Sequence, residues 1–175
     1  KFFKKASETE KLVKSLKDNN NIYLVPAFTG LGAPHWDANA RGVLTGITRD
    51  TGPKEIVRAT IEAVAYQTFD LLEAMKHDGL RPKIVKVDGG MVMNNWFSQF
   101  LSDIVNVKVL RPKVQETTAV GAAFMAGLHI GVYKSLKDIS KIWHLDKKFS
   151  PKMKNNNRTK LIKGWSKAIK RTLIN

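Results

Sequence analysis

An α/β fold, with strands joined by crossover helices, is the class this sequence predicts. Three observations carry it. Between residues 21 and 133 the order reads strand, strand, helix, strand, helix, strand, helix, the alternation that lays helices on a sheet. The helical stretches repeat apolar residues at three- and four-residue steps, whereas the strands are short β-branched runs. Gly, Pro and Asn clusters stand at the junctions. At 175 residues the chain is long enough to bury ~70% of its unfolded surface around one core.

Each element follows from local chemistry. Ser7–Asn19 is a helix with Leu12, Val13 and Leu16 on one face, broken by Asn19-Asn20-Asn21. Ile22–Val25 is a short apolar strand, and Pro26–Asn39, with Gly30, Gly32 and Pro34, is a long structured loop. Gly42–Thr48 is a second strand. Thr51-Gly52-Pro53 starts a helix, because proline is tolerated in a first turn. Val57, Ile61, Val64, Thr68, Leu71 and Met75 then give the strongest helical pattern in the chain, and His77-Asp78-Gly79 stops it. Lys83–Asp88 is a strand ended by Gly89-Gly90. Asn94–Val105 is an amphipathic helix with Phe97, Phe100, Leu101, Ile104 and Val105 on one face. Val107–Leu110 is a further strand closed by Pro112. Glu116–Ile130 is a helix whose Gly121, Ala122, Ala126 and Gly127 suggest close backbone packing. Gly131–Lys148 is mixed, and Arg158–Leu173 is a basic terminal helix.

Composition excludes several functions. With no cysteine there are no disulfides, thiolate metal sites or cysteine nucleophiles, and the reduced cytosol is permitted. The uncharged, Ala- and Gly-rich run of 17 residues Thr117–Tyr133 is short for a bilayer span and reads as a buried helix. The net charge of +15 is uneven: residues 1–20 carry +3, residues 21–133 carry +1 and residues 134–175 carry +11. That tail is rich in Lys, and after Phe149 its one aromatic is Trp165. Base stacking and bidentate guanine contacts call for aromatics and Arg, so a solvated face is favoured over a specific nucleic-acid reader. No G-x-x-x-x-G-K-[ST], G-x-S-x-G or H-E-x-x-H stands in the chain. His35, His77, His129 and His144 lack ligand spacing, and Glu55, Glu62, Asp70 and Glu73 on the long helix read as solvated charges. Lys1-Phe2-Phe3-Lys4-Lys5 has no apolar signal region and no initiator Met, from which a fragment of a longer protein is expected.

One junction carries chemistry. In Val85-Lys86-Val87-Asp88-Gly89-Gly90, with Asn94 four residues on, a strand runs through two glycines into a helix. The glycines let a ligand approach the backbone. Unpaired amides and the dipole at the helix start favour an anion such as phosphate. Asn94 offers both a donor and an acceptor. The structural alternative is a tight turn with an Asn cap. Asp88, at the strand end, suits a structural role better than Mg²⁺ binding.

Pro26-Ala27-Phe28-Thr29-Gly30-Leu31-Gly32-Ala33-Pro34-His35-Trp36-Asp37, followed by Ala40-Arg41-Gly42, closely resembles the glycerol kinases, which typically carry Tyr where His35 stands. Gly42-x-Leu44-x-Gly46-Ile47, seven residues, then Glu55-Ile56-x-x-Ala59-Thr60-Ile61-Glu62 is similar to the second signature of the FGGY carbohydrate kinases. Asp88-Gly89-Gly90 with Asn94 is similar to their nucleotide segment. The resemblance runs over about residues 20–170.

The resemblance implies an actin-like ATPase (ribonuclease H-like) fold, here the C-terminal domain of an FGGY kinase, incomplete at its N-terminal side. Its divisions are a helical segment at 1–20, the nucleotide-binding domain at 21–150 and a basic helix at 151–175. It implies phosphorylation of glycerol to glycerol 3-phosphate with ATP and Mg²⁺, with ATP contacts at Gly90 and Asn94 supported by Gly89. The catalytic Asp and the glycerol-binding residues are expected upstream of this chain, so the N-terminal portion of the same kinase is the expected partner. Cytoplasmic location, no membrane span, no specific nucleic acid and a possible homo-oligomer complete the expectation. The alternatives are an inactive truncated remnant and a basic module for nucleic acid or an anionic surface. Without upstream strands, Ile22–Val25 or a neighbour is expected to be an exposed edge that invites association.

Overall fold

The structure, a computed structural model, describes Phe3 and residues 5–173. Lys1, Phe2 and Lys4 of the expected 1–20 segment, and Ile174 and Asn175 of the expected 151–175 segment, lie outside the described residues.

The chain runs α1 (Glu8–Lys14), β1 (Tyr23–Val25), β2 (Val43–Thr45), α2 (Pro53–His77), β3 (Ile84–Lys86), a 3₁₀ turn (Gly90–Met93), α3 (Asn95–Val105), β4 (Lys108–Pro112), α4 (Thr117–His129), α5 (Leu136–Ile142), β5 (Leu145–Phe149) and α6 (Asn155–Thr172). β1 and β2 form an antiparallel pair with Leu24 opposite Leu44. The second sheet has the order β3-β4-β5, with β3 parallel to β4 and β5 antiparallel to it.

α2 starts where its sequence says. Gly52 is extended, Pro53 opens the helix, and the Glu55 carboxylate accepts the Gly52 N–H at 2.9 Å. Val57, Ile61 and Leu72 turn inward, and Gly79 at φ +87° follows the last turn. α3 buries the predicted face of Phe97, Phe100, Leu101, Ile104 and Val105, and Asn106 ends it in the left-handed conformation at φ 56°.

Tyr66 of α2 sits at the centre of the core. It stacks on Trp165 of α6 at 5.2 Å, meets Phe100 edge-on at 5.7 Å and lies 5.8 Å from Tyr23. Four elements thus meet on one ring, with offset and edge contacts that add to plain burial.

Several expectations change. Glu62 is not a solvated acid: it is fully buried, takes the Arg58 Nε–H at 2.7 Å and accepts the Tyr66 hydroxyl at 3.0 Å. Burial pushes its carboxyl above the ordinary 4.5, against the pull of Arg58. Arg58 also donates to the Leu16 carbonyl at 2.8 Å, tying the segment after α1 to α2. Asp70 is not simply solvated either, since it accepts the Trp165 indole N–H at 2.8 Å and contacts His35 Nε2 at 3.2 Å. The mixed region contains β5, whose Asp146, Lys147 and Lys148 hide a strand pattern. The expected buried helix is α4, but only Gly127 in it is buried. A Cβ there would meet the Tyr133 ring at 2.7 Å, whereas Gly121 faces open space.

Candidate functional site: the glycine bend after β3

β3 delivers the chain to Asp88, Gly89 and Gly90. Gly89 sits at φ +83°, which side chains rarely adopt, and its N–H reaches the Gln115 carbonyl at 3.3 Å. Gly90 is exposed, and nothing lies within 4 Å of the position a Cβ would take. The backbone is therefore open to a ligand at this bend.

The geometry departs from a direct strand–glycine–helix junction. The 3₁₀ turn intervenes, and α3 begins only after Asn94. Asn94 caps α3: its Oδ1 accepts the Phe97 N–H at 3.0 Å, while Nδ2 donates to Thr9 Oγ1 at 3.4 Å. Nδ2 carries a second hydrogen beyond that bond. The Asn95 N–H points to the Glu10 carboxylate at 3.3 Å. Burial alone would raise the Glu10 carboxyl, but bonds from Lys14 and Asn95 outweigh it and hold the group below 4.5. The start of α3 already faces a carboxylate, so its dipole is spent on the chain itself.

What lies open beside Asn94 is a cavity of about 610 Å³. Ala6, Ile61, Gly90, Met91 and Met93 form most of its wall, and Ser7, Thr9, Glu10 and Asn94 bring the polar groups. Its size and make-up, mostly apolar with a few convergent polar groups, suit a small organic ligand. Flexible methionines fit a flat ring face well.

Two residues not singled out in the sequence fix this bend from below. Arg111 on β4 donates from Nη1 to the Val92 carbonyl at 2.7 Å, and from Nε to Asp146 at 2.6 Å. Ser98 on α3 donates to the same Val92 carbonyl at 2.9 Å. An Arg directly after the apolar pair Val109-Leu110 was the available signal. Asp88 is exposed, and no group of three or more His, Asp or Glu among the described residues could hold a metal. Mg²⁺ takes one or two carboxylates together with substrate phosphates, and the residues present do not build such a site.

The loop before β2 is structural, as its sequence suggested. Leu31 and Asp37 exchange backbone bonds at 2.7 and 2.9 Å, and Gly30 at φ +94° would bring a Cβ within 2.7 Å of the Asp37 carbonyl. The Asp37 side chain accepts the N–H groups of Asn39 and Ala40. In the tail, α6 buries Trp165, Ala168 and Ile169 and leaves Lys160, Lys163, Lys167 and Arg171 exposed, so the cations lie on the outward face. No helix among the described residues is long and apolar enough to cross a membrane.

The sheet, its helices and the glycine bend define an α/β domain of the actin-like ATPase class. Residues 3–130 match the FGGY family of carbohydrate kinases, C-terminal domain, and the chain belongs to that family. It is 55% identical over 166 residues to glycerol kinase 1 of Pseudomonas aeruginosa, covering 95% of this chain and 34% of that protein. It is 50% identical over 171 residues to a glycerol kinase of Clostridium botulinum strain 657, covering 97% and 34%. Among solved structures, a Plasmodium falciparum glycerol kinase with ADP superposes with a TM-score of 0.87 at 36% identity, over 99% of this chain and 35% of that one. A xylulose kinase from Lactobacillus acidophilus, at 24% identity and a TM-score of 0.78, shares the fold. The chain spans about a third of the length of the curated relatives it matches.

Proposed function

We propose that this chain is the C-terminal, nucleotide-binding part of a glycerol kinase and acts with the N-terminal portion of that enzyme in the cytoplasm. The observation that carries the reading is the open bend at Gly89-Gly90 beside an apolar cavity bordered by Asn94. Identity of 50–55% to glycerol kinases supports the choice of glycerol as substrate over other carbohydrates.

In this reading ATP spans the bend. The cavity walls at Ile61, Met91 and Met93 take the base, and the free hydrogen on Asn94 Nδ2 is a donor for it. The bare backbone at Gly90 allows the nucleotide's phosphates to pass without a Cβ in their way. This refines the sequence expectation, because Glu10 at the start of α3 would repel a phosphate placed there. The reaction transfers the γ-phosphoryl group: a glycerol hydroxyl oxygen forms the new P–O bond, the bond to ADP breaks, and the hydroxyl proton passes to a base. That base, the glycerol contacts and Mg²⁺ belong to the N-terminal portion and the bound phosphates, so this chain's task is to hold and orient the nucleotide.

The test is ADP binding by calorimetry to this chain joined behind the N-terminal two-thirds of the Pseudomonas aeruginosa relative. Asn94→Asp keeps the cap acceptor and loses the amide donor, so Kd is expected to rise roughly tenfold, one lost hydrogen bond. Unchanged affinity in Asn94→Asp and in Gly90→Val would overturn the assignment.

A further inference from the structure

α6 turns a row of cations toward the β1–β2 pair. The helix holds six Lys and Arg residues and no Asp or Glu. Lys160, Lys163, Lys167 and Arg171 follow at steps of three, four and four, so they share one side of the helix. At 1.5 Å of rise per residue the row is about 16 Å long. These four line a cleft of about 760 Å³, and Asn21, Tyr23 and Gly46 of the β1–β2 region build its opposite wall. No acid lines the cleft.

The row is unpaired. Other helical cations of the chain have an acid one turn away: Lys14 with Glu10, Lys76 with Glu73 and Lys141 with Asp138. Among the described residues, Lys160, Lys163, Lys167 and Arg171 have no carboxylate partner. Like charges one turn apart repel and weaken a helix. The side chains of Asn21, Asn156 and Thr159, in the same cleft, also make no hydrogen bond. They supply neutral donors beside the cations.

Both walls are fixed in advance. A Cβ on Gly164 of α6 would run into the Tyr23 hydroxyl, so the helix lies directly on β1. A Cβ on Gly46, at φ +84°, would run into the Asn21 carbonyl. Trp165, stacked on Tyr66 and bonded to Asp70, holds the helix from its other side. A ligand in this cleft therefore meets a standing row of cations, and little ordering is left to be done on binding.

We propose that the cleft between α6 and the β1–β2 pair is a binding site for a soluble linear oligophosphate. Lys is a compact charge that suits phosphate oxygens, and an extended row matches phosphates in sequence. Tyr23, 5% exposed, is the one aromatic in the cleft, so nucleobases have no ring to stack on. A recess suits a discrete ligand better than a flat lipid surface does. The site is independent of the nucleotide reading, because the cleft shares no residue with the cavity beside Asn94.

The test is calorimetric titration of inorganic tripolyphosphate into the 175-residue chain. One anion is expected to bind per chain, more tightly than orthophosphate, and to weaken steeply between ~50 and ~200 mM salt. Lys167→Gln with Arg171→Gln is expected to raise Kd roughly tenfold, two cations removed from the row. Lys134→Gln with Lys137→Gln removes the same charge from exposed positions outside the cleft and is expected to leave Kd unchanged. Equal weakening in both pairs would overturn the proposal, since net charge alone would then attract the anion. A rise in Kd with Asn94→Asp or Gly90→Val would overturn it too, by placing the anion at the glycine bend. So would tighter binding of a thymidine oligonucleotide, or of phosphatidylglycerol vesicles, than of tripolyphosphate.

Discussion

Trp165 donates its indole N–H to Asp70 at 2.8 Å, across 95 residues of sequence. The bond fixes α6 onto α2, and the same carboxylate oxygen contacts His35 at 3.2 Å in the loop before β2. One acid therefore holds three segments whose order in the chain gives no hint of their meeting.

Replacing Trp165 by Phe keeps a ring against Tyr66 and removes the N–H. Loss of that hydrogen bond to a charged acceptor is expected to lower stability by about 1.5–3 kcal/mol. A urea melt of the variant, read as a shift in midpoint at constant slope, checks it. An unchanged midpoint would mean that Asp70 does not anchor α6.

Glu62 sets a pH dependence. Its carboxyl is raised above 4.5 in the folded chain, chiefly by burial. The folded state then holds its proton at pH values where the unfolded chain has released it. The contribution of this group is fully present below pH 4.5 and is lost as pH rises through the raised value. Glu62→Gln is expected to flatten that part of the stability profile, measured by chemical denaturation in half-unit pH steps. A parallel slope in wild type and variant would rule the group out.

Arg58→Met leaves the fully buried Glu62 without its cation. Breaking a buried pair from one side typically costs ~3–5 kcal/mol, because an uncompensated charge remains. The double variant Arg58→Met, Glu62→Leu is expected to recover most of that loss, and a thermal melt distinguishes the three proteins.

Gly30→Ala tests the loop. The positive φ and the close approach of the Asp37 carbonyl leave no room for a methyl group. Backbone strain of this kind costs on the order of 1–3 kcal/mol, before any shift of Ala38. Gly79→Ala, at similar φ but in open space, is the control and is expected to cost less.

Much of this architecture was legible in the sequence. α2 and α3 follow from apolar spacing, proline at a first turn and helix-ending residues, all of which act locally. The bend at Gly89-Gly90 was visible for the same reason. The 3₁₀ turn was not, because Met91-Val92-Met93 carries no signature for it and Arg111, which fixes it, lies 18 residues beyond Met93. β5 was missed because three of its five residues are charged, as an edge strand permits. The burial of Glu62 was invisible because its partners, Arg58 and Tyr66, sit at ordinary helix spacings that also suit solvated surfaces. α4 was read as buried from its composition, yet only Gly127 in it is buried.

The contacts from α1 to the start of α3 have a mechanical meaning. Thr9 and Glu10 grip Asn94 and Asn95 through bonds of 3.4 and 3.3 Å, lengths at which a small displacement is enough to let go. A tug on α1 would thus release the carboxamide and unmask the helix end at the same stroke. A shift of the first helix is therefore felt first at Asn94 and Asn95, where its two polar contacts end.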